Sequence, residues 1–303
     1  MKDRILFVIV GPTAIGKTDL AIQIAKKLNT EIISCDSRQI YKEMKIGTAR
    51  PSEAQLKEIK HHFIGTISVV DYYNASMFEF AVLDLLNEMF REKRIVIMAG
   101  GSGLYADAVC KGIDDLPTID PEVRENLLKR LSIEGIMSLR QELLKMDPYY
   151  CQTADIRNPK RILKALEVYY MTGQPYSRFL TKKDKTRDFK IVKIGLNRER
   201  KELYKIIDNR VDGMIQNGLI EEARSLFEFR NLNALNTVGY KELFDYLDGK
   251  LTLEEAMELI KRNTRRFAKR QLSWFTRDKE IIWFHPDQGN EIKNFIHKKL
   301  EAV

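Results

Sequence analysis

Cysteine is scarce in this chain of 303 residues. There are three, Cys35, Cys110 and Cys151, an odd number with no C-x-x-C pair among them. A disulfide framework and a thiolate zinc site are thereby excluded, and a reduced, cytoplasmic setting is the simplest expectation. Histidine is as sparse, and the pair His61-His62 has no cysteine or carboxylate at ligand spacing, so no zinc site is expected. Proline and glycine are few and no low-complexity tract occurs, which argues against disorder. Long apolar runs are missing too. The run Ile5 to Val10 follows Lys2 and Arg4 as a signal peptide might begin, but it passes directly into a glycine-rich turn and reads as a core strand. No stretch reaches the roughly 18 apolar residues that span a membrane. A monomer with no membrane partner is the expectation.

Acid is in deficit, 43 Asp and Glu against 51 Lys and Arg, a net charge of +8. Such an excess suits a polyanionic partner only where it is clustered. With 44% hydrophobic residues the chain can build one large core or two modest ones.

The first 110 residues alternate apolar runs with helical patterns. Ile5–Val10 precedes a helix over about Thr18–Leu28, Glu31–Cys35 is a second strand, and Met77–Arg91 has helical spacing. Arg94–Ala99 is another strand, ending in Gly100-Gly101-Ser102-Gly103. Apolar strands separated by helices predict a parallel sheet covered on both faces. From Asp114 a Pro/Asp linker leads into helices over Pro121–Leu131, Ile136–Lys145 and Pro159–Met171. The last has Asn158 as N-cap, Pro159 at its first position and Gly173 past its end. Lys190–Leu196 returns to strand, and the remainder is helical apart from a short strand near Ile281–Phe284. The expected fold is α/β: a core formed by 1–114 and 190–303, with a helical C-terminal part, interrupted by a mostly helical insertion at 115–189.

Within the first strand-to-helix junction, "GPTAIGKT" matches G-x-x-x-x-G-K-S/T. Its residues are Gly11, Pro12, Thr13, Ala14, Ile15, Gly16, Lys17 and Thr18. The glycines let backbone N–H groups turn inward as a nest for phosphate oxygens, and the following helix adds its dipole. Lys17 supplies a point charge and the Thr18 hydroxyl can ligate Mg²⁺. A strand before and a helix after is the context that gives this motif its meaning.

The second strand ends in Asp36, followed by Ser37, Arg38 and Gln39. In a parallel sheet that end faces the ligand crevice. Asp36 can hold Mg²⁺ through water, act as a general base, or simply form a turn. The third strand ends in glycines where many NTPases carry an acid, which weakens the reading as an ATP-hydrolysing motor. Gly100-Gly101 admit close backbone approach and Ser102 offers a hydroxyl.

Two basic helices follow. In "DIRNPKRILKALE", Arg157, Lys160, Arg161 and Lys164 fall at i, i+3, i+4, i+7 spacing near a helix N-terminus. In "KRNTRRFAKRQLSWF", Arg262, Arg265, Arg266, Lys269 and Arg270 occupy one arc, with Ile260, Phe267, Trp274 and Phe275 opposite and no acid from Lys261 to Arg277. A solvated face ordinarily mixes signs, so a nucleic-acid backbone contact is expected. Arg210, at the margin of an apolar face formed by Leu203, Ile206, Ile207, Val211 and Met214, reads equally as a surface residue or a phosphate clamp.

Together, GPTAIGKT, DSRQIYKEMKIGTARP, AGGSGLY, DIRNPKRILKALE, TVGYKEL and AKRQLSWF resemble the tRNA dimethylallyltransferases, in order and spacing, from about residue 5 to residue 285. These enzymes prenylate adenosine 37 beside the anticodon. The resemblance implies a P-loop NTPase-like core with a helical insertion that closes on the anticodon stem-loop of tRNA. It also implies dimethylallyl pyrophosphate as donor and Mg²⁺ as cofactor. It places the leaving pyrophosphate on Gly11 to Thr18 and on Arg210, which stands in an R-I/V-x-x-M context, and makes Asp36 the general base. Ser37, Arg38, Gln39 and Ser102 would meet the adenosine; relatives often carry Thr where Ser102 stands. Arg124, the stretch Lys160, Arg161, Ile162, Leu163 and Lys164, and the stretch Asn236, Thr237, Val238, Gly239, Tyr240 and Lys241 would contact tRNA. Three other activities share parts of this pattern: prenylation of free AMP, nucleotide phosphorylation, and RNA binding without catalysis.

Overall fold

The computed structural model describes residues 4–114, 116–117, 120–181 and 184–301, which group into two compact units: Met1–Lys111 with Thr186–Val303, and Gly112–Lys185. Residues 115 and 118–119 of the expected Pro/Asp linker lie outside the described residues.

The first unit holds six parallel strands, β1 (Ile5–Val10), β2 (Ile32–Ser34), β3 (His61–His62), β4 (Ile95–Gly100), β5 (Lys190–Leu196) and β6 (Ile282–Phe284), in the order β3-β2-β4-β1-β5-β6. All six residues of β1 are buried, as a strand between two neighbours and under helices on both faces requires. β2 is shorter than its apolar run, and β3, two half-buried histidines on the sheet edge, gives no apolar signal in sequence. The unit's helices are α1 (Lys17–Leu28), α2 (Glu53–Glu58), α3 (Ala75–Glu92) and α4 (Gly103–Lys111). After the second unit they continue as α8 (Arg200–Gln216), α9 (Leu219–Ser225), α10 (Tyr240–Leu247), α11 (Leu253–Phe275) and α12 (Gly289–Glu301). α2, too short for a periodic pattern, is set by its capping box: Ser52 accepts from Gln55 N, and the Gln55 side chain accepts from Ser52 N. Because every strand runs the same way, the phosphate loop after β1, Asp36 after β2 and the glycines closing β4 leave the sheet at one edge.

The second unit contains α5 (Pro121–Met146), α6 (Pro148–Thr153) and α7 (Pro159–Thr172) around a core that includes Leu127, Leu139, Leu143, Ile162 and Leu166. α5 is the two expected helices joined end to end, broken at Gly135, whose φ of 77° and ψ of 170° no helix contains. α7 has the ends its sequence gives it: Asn158 accepts from Lys160 N, Pro159 opens the helix and Gly173 closes it in the left-handed conformation.

Candidate active site

The phosphate loop turns through positive φ at Gly11 (150°), Ala14 (65°) and Gly16 (95°), the alternation that points successive N–H groups into one concavity. A side chain at Gly11 would collide with the Leu196 carbonyl of β5, so the residue is dictated by the approach of two strands. Ala14 in the left-handed region is local strain of the kind stored at binding loops. Ile15 is buried in the core, so only its backbone can serve a ligand. Lys17 arches over the loop, its Nζ donating to the Pro12 carbonyl at 2.7 Å. Burial lowers its pKa to about 8; Asp36 opposes that shift and Arg210 adds to it. The Arg210 guanidinium is likewise held below its ordinary value by burial, against the pull of Asp36 and Asp19.

Asp36 forms a turn and keeps an oxygen in reserve. Its Oδ1 accepts from Arg38 N (2.9 Å) and Gln39 N (3.3 Å), while Oδ2 has no partner among the described residues. Ser102 steadies this turn from β4, its Oγ accepting from Ser37 N at 2.9 Å and donating to Ser37 Oγ at 3.1 Å. The neighbouring side chains are committed to protein: Arg38 donates to Asn233 O, and Gln39 donates to the carbonyls of Thr48 and Ala49. Gly100 serves packing, since a Cβ there would strike the Cys35 backbone. Burial pushes the Cys35 thiol well up, which removes it as a nucleophile.

Two cavities meet at Asp36. One, of about 500 Å³, is lined by the loop from Thr13 to Asp19, by Gly100-Gly101 and by Arg210. The other, of about 490 Å³, is lined by Ser37, Arg38 and Ser102, by Asn236 to Gly239 with Lys241, and by Arg266 and Arg270. Asp36, Arg210, Thr13 and Phe267 border both. The structure thus gathers most of the expected site residues of the first unit, with polar and basic walls on one side and an anion nest on the other.

Several expectations change. Phe267 and Trp274 are not core residues: they are 38% and 39% exposed, Phe267 bordering both cavities and Trp274 donating to Asp107 while its ring covers Gly103. The reason is that the core-facing arc of α11 is narrower than its apolar residues suggest, and Ile260, Ala268 and Phe275 fill it. Arg265 is an ion-pair residue, bound to Asp208 at 2.5 Å. Tyr240 is fully buried, its hydroxyl donating to Glu222, and so presents no side chain to a ligand. In the second unit Ile162 is buried in the core, where RNA cannot reach it, whereas Lys160 and Arg161 are exposed. Arg124 is forked onto the buried carboxylate of Glu167 at 2.7 and 3.0 Å.

Sequence reasoning missed the residues that hold the site together. Gln271 is buried; its Oε1 accepts from Thr13 N and its Nε2 donates to Gly101 O, both at 2.8 Å, tying the phosphate loop to β4. Its signal was a polar residue on the core-facing arc of α11. Glu242, also buried, accepts from Gly239 N and from Asn263 Nδ2, fixing the 236–241 turn against α11. Among the described residues no group of three His, Cys, Asp or Glu could hold a metal. Among the described residues no helix is long and apolar enough to cross a membrane.

The sequence model of the IPP transferase family matches residues 39–278. The chain is 51% identical over 292 residues to tRNA dimethylallyltransferase 1 of Phocaeicola vulgatus, covering 96% of this chain and 97% of that one. It is 50% identical over 301 residues to tRNA dimethylallyltransferase 1 of Bacteroides fragilis, covering 99% and 100%. The crystal structure of a full-length tRNA isopentenylpyrophosphate transferase from Bacillus halodurans matches with a TM-score of 0.71 and 37% identity, over 99% and 98% of the two chains. A eukaryotic dimethylallyltransferase acting on tRNA matches with a TM-score of 0.77 and 26% identity, over 93% and 74%. With these structures the chain shares a P-loop NTPase-like fold, as the resemblance implies, and its all-parallel sheet is the one the alternation of strands and helices predicts.

Proposed function

This chain belongs to the IPP transferase family and transfers a dimethylallyl group to tRNA, and we propose that its donor is dimethylallyl pyrophosphate and its acceptor N6 of adenosine 37 in tRNAs reading codons that begin with U. The observation that carries the finer reading is the meeting of the two cavities at Asp36 and Arg210. A pyrophosphate in the loop cavity and an adenine in the other would bring the allylic carbon and N6 together beside one unpaired carboxylate oxygen.

The exocyclic amine is a poor nucleophile because its lone pair is delocalised into the ring. Attack on the allylic carbon forms the N6–C bond and breaks the C–O bond to pyrophosphate, leaving a cationic nitrogen. Asp36 Oδ2 orients the amine and takes the proton, a role typically worth ~10²–10⁴-fold. The loop N–H groups, Lys17 and Arg210 stabilise the charge that develops on the departing pyrophosphate. The adenine reaches the site by leaving the loop stack, at a cost of a few kcal/mol, about what unstacking a nucleotide takes. Arg266 and Arg270 on the acceptor side, and Lys160 and Arg161 in the second unit, stand as backbone contacts for the RNA.

Mg²⁺ fits the donor set. The Thr18 hydroxyl is an oxygen donor in the loop cavity, and Asp36 lines the same cavity and would meet the ion through water, a sparse protein shell that phosphate oxygens and water complete. Bound there, it would draw charge from the leaving group. The setting is cytoplasmic and the chain acts as a monomer in this reading.

The test is acceptor choice. With dimethylallyl pyrophosphate and Mg²⁺, an unmodified anticodon stem-loop is prenylated, while free AMP and a stem-loop carrying guanosine at position 37 are inert. Prenylation of AMP in preference to the stem-loop would move the chain to the mononucleotide class.

A further inference from the structure

The loop that follows Asp36 is tied down far more firmly than a surface connection needs. The backbone N–H groups of Lys45, Ile46 and Gly47 all donate to the Glu222 carboxylate at 2.8–3.1 Å, and Tyr240 donates to the same group. Gln39 holds the carbonyls of Thr48 and Ala49, Arg50 N donates to Lys45 O, and Ala49 sits in the left-handed region at φ 49°. Strain and ordering of this kind persist where a residue must be presented in one place.

The residue presented is Arg50. Its Nε is buried and has no hydrogen-bond partner, and its guanidinium makes no ion pair with a described residue. Asp19 and Asp36 line the loop cavity with it, and Glu53 lines a shallower neighbouring one, yet none is paired to it. The guanidinium lies over Gly65, where a Cβ would come within 2.4 Å of Nη1, so that glycine keeps its slot open. Arg50 borders the cavity of the phosphate loop and not the acceptor cavity, and it shares the shallower one with Arg210. Arg50 is half-buried, and a buried Nε left without a partner is costly in a folded chain, while the fork of guanidinium donors matches phosphate oxygens.

We infer that Arg50 is a second arginine for the donor's pyrophosphate, lining the same cavity as Lys17 and acting with Arg210. The anion is then held by three cations on three separate elements: α1, the 44–51 loop and α8. The inference rests on the reading of this cavity as the donor site and adds a residue to it.

The experiment is calorimetric titration of the full chain with pyrophosphate in the presence of Mg²⁺, alongside an RNA-binding titration with the anticodon stem-loop. Arg50→Gln should weaken pyrophosphate binding about ten- to a hundredfold, and Arg50→Lys, which keeps charge without the fork, should fall between. Stem-loop affinity should stay within about twofold of wild type in both variants, and thermal melting checks that each is folded. Without ligand the Gln variant should melt no lower than wild type, because the native side chain has no protein partner to lose. Unchanged pyrophosphate affinity in Arg50→Gln would overturn the inference while leaving the site reading in place. So would a loss confined to the stem-loop, which would make Arg50 an RNA contact. If wild type itself bound no pyrophosphate, the site reading would fall and the inference with it.

Discussion

At the residue scale, Asp36 forms a turn with one oxygen and leaves the other for the base role proposed for it, and the two can be separated. Asp36→Asn keeps an Oδ1 that can accept from the N–H groups of Arg38 and Gln39, so the turn survives while the base is lost. Prenylation by this variant should fall about 10²–10⁴-fold, with stem-loop affinity close to wild type; Asp36→Ala should lose the turn as well. Lys17 gives a second handle. Burial lowers its pKa from 10.5 to about 8, so the free enzyme carries the charge below pH 8 and loses it above. Donor affinity should therefore be flat below about pH 8 and decline above it, by at most about tenfold per pH unit, as read from the KM for donor across a pH series. Stability runs the other way. The folded chain binds fewer protons than the unfolded one between pH 8 and 10.5, so burying this ammonium costs most below pH 8, and the cost is relieved as pH rises through that window.

At the scale of elements, α11 is the part that joins the site. It sends Gln271 to the phosphate loop, Asn263 to the Glu242 carboxylate that holds the 236–241 turn, and Arg266 and Arg270 to the acceptor cavity. Gln271→Met would fill the same space and leave Thr13 N and Gly101 O without partners. It should cost about 1–3 kcal/mol of stability by chemical denaturation and raise the KM for donor more than the KM for RNA. How much of this the sequence reveals varies by element. β1, the phosphate loop and α7 announce themselves because their signals are local: an apolar run, a glycine spacing, a cap at each end. β3 and α2 do not, because two histidines on an edge and a six-residue helix offer no periodicity. Basic residues on α11 could be listed from the helical wheel, but their partners could not. Arg265 is removed from the free set by Asp208, which lies on α8 and 57 positions away in sequence. Gln271, Glu222 and Glu242 act through backbone groups of distant loops, and no spacing rule records such pairings.

At the scale of the whole molecule, the chain is two units with separate cores, and the two substrates divide between kinds of surface. In the proposed reading the donor goes to the backbone nest of the phosphate loop in the first unit. The RNA goes to the acceptor cavity there, with its polar and basic walls, and to the exposed cations of α7 in the second unit. Arg161→Glu should accordingly weaken stem-loop binding several-fold and flatten its dependence on salt, with pyrophosphate affinity unchanged in the same titration series. Equal loss of both ligands would mean that this division is wrong.

The central claim is that the loop, so often a holder of nucleoside triphosphate, here holds a leaving group whose carbon–oxygen bond breaks. The most direct measurement uses dimethylallyl pyrophosphate labelled with heavy oxygen at the atom bridging carbon and phosphorus, together with Mg²⁺ and an unmodified anticodon stem-loop. Products are read by the mass of the nucleosides and of the released phosphate species. The account predicts one prenylated adenosine for each pyrophosphate released, with all of the label in the pyrophosphate. Phosphorylated product, orthophosphate released in place of pyrophosphate, or label retained on the five-carbon group would contradict it.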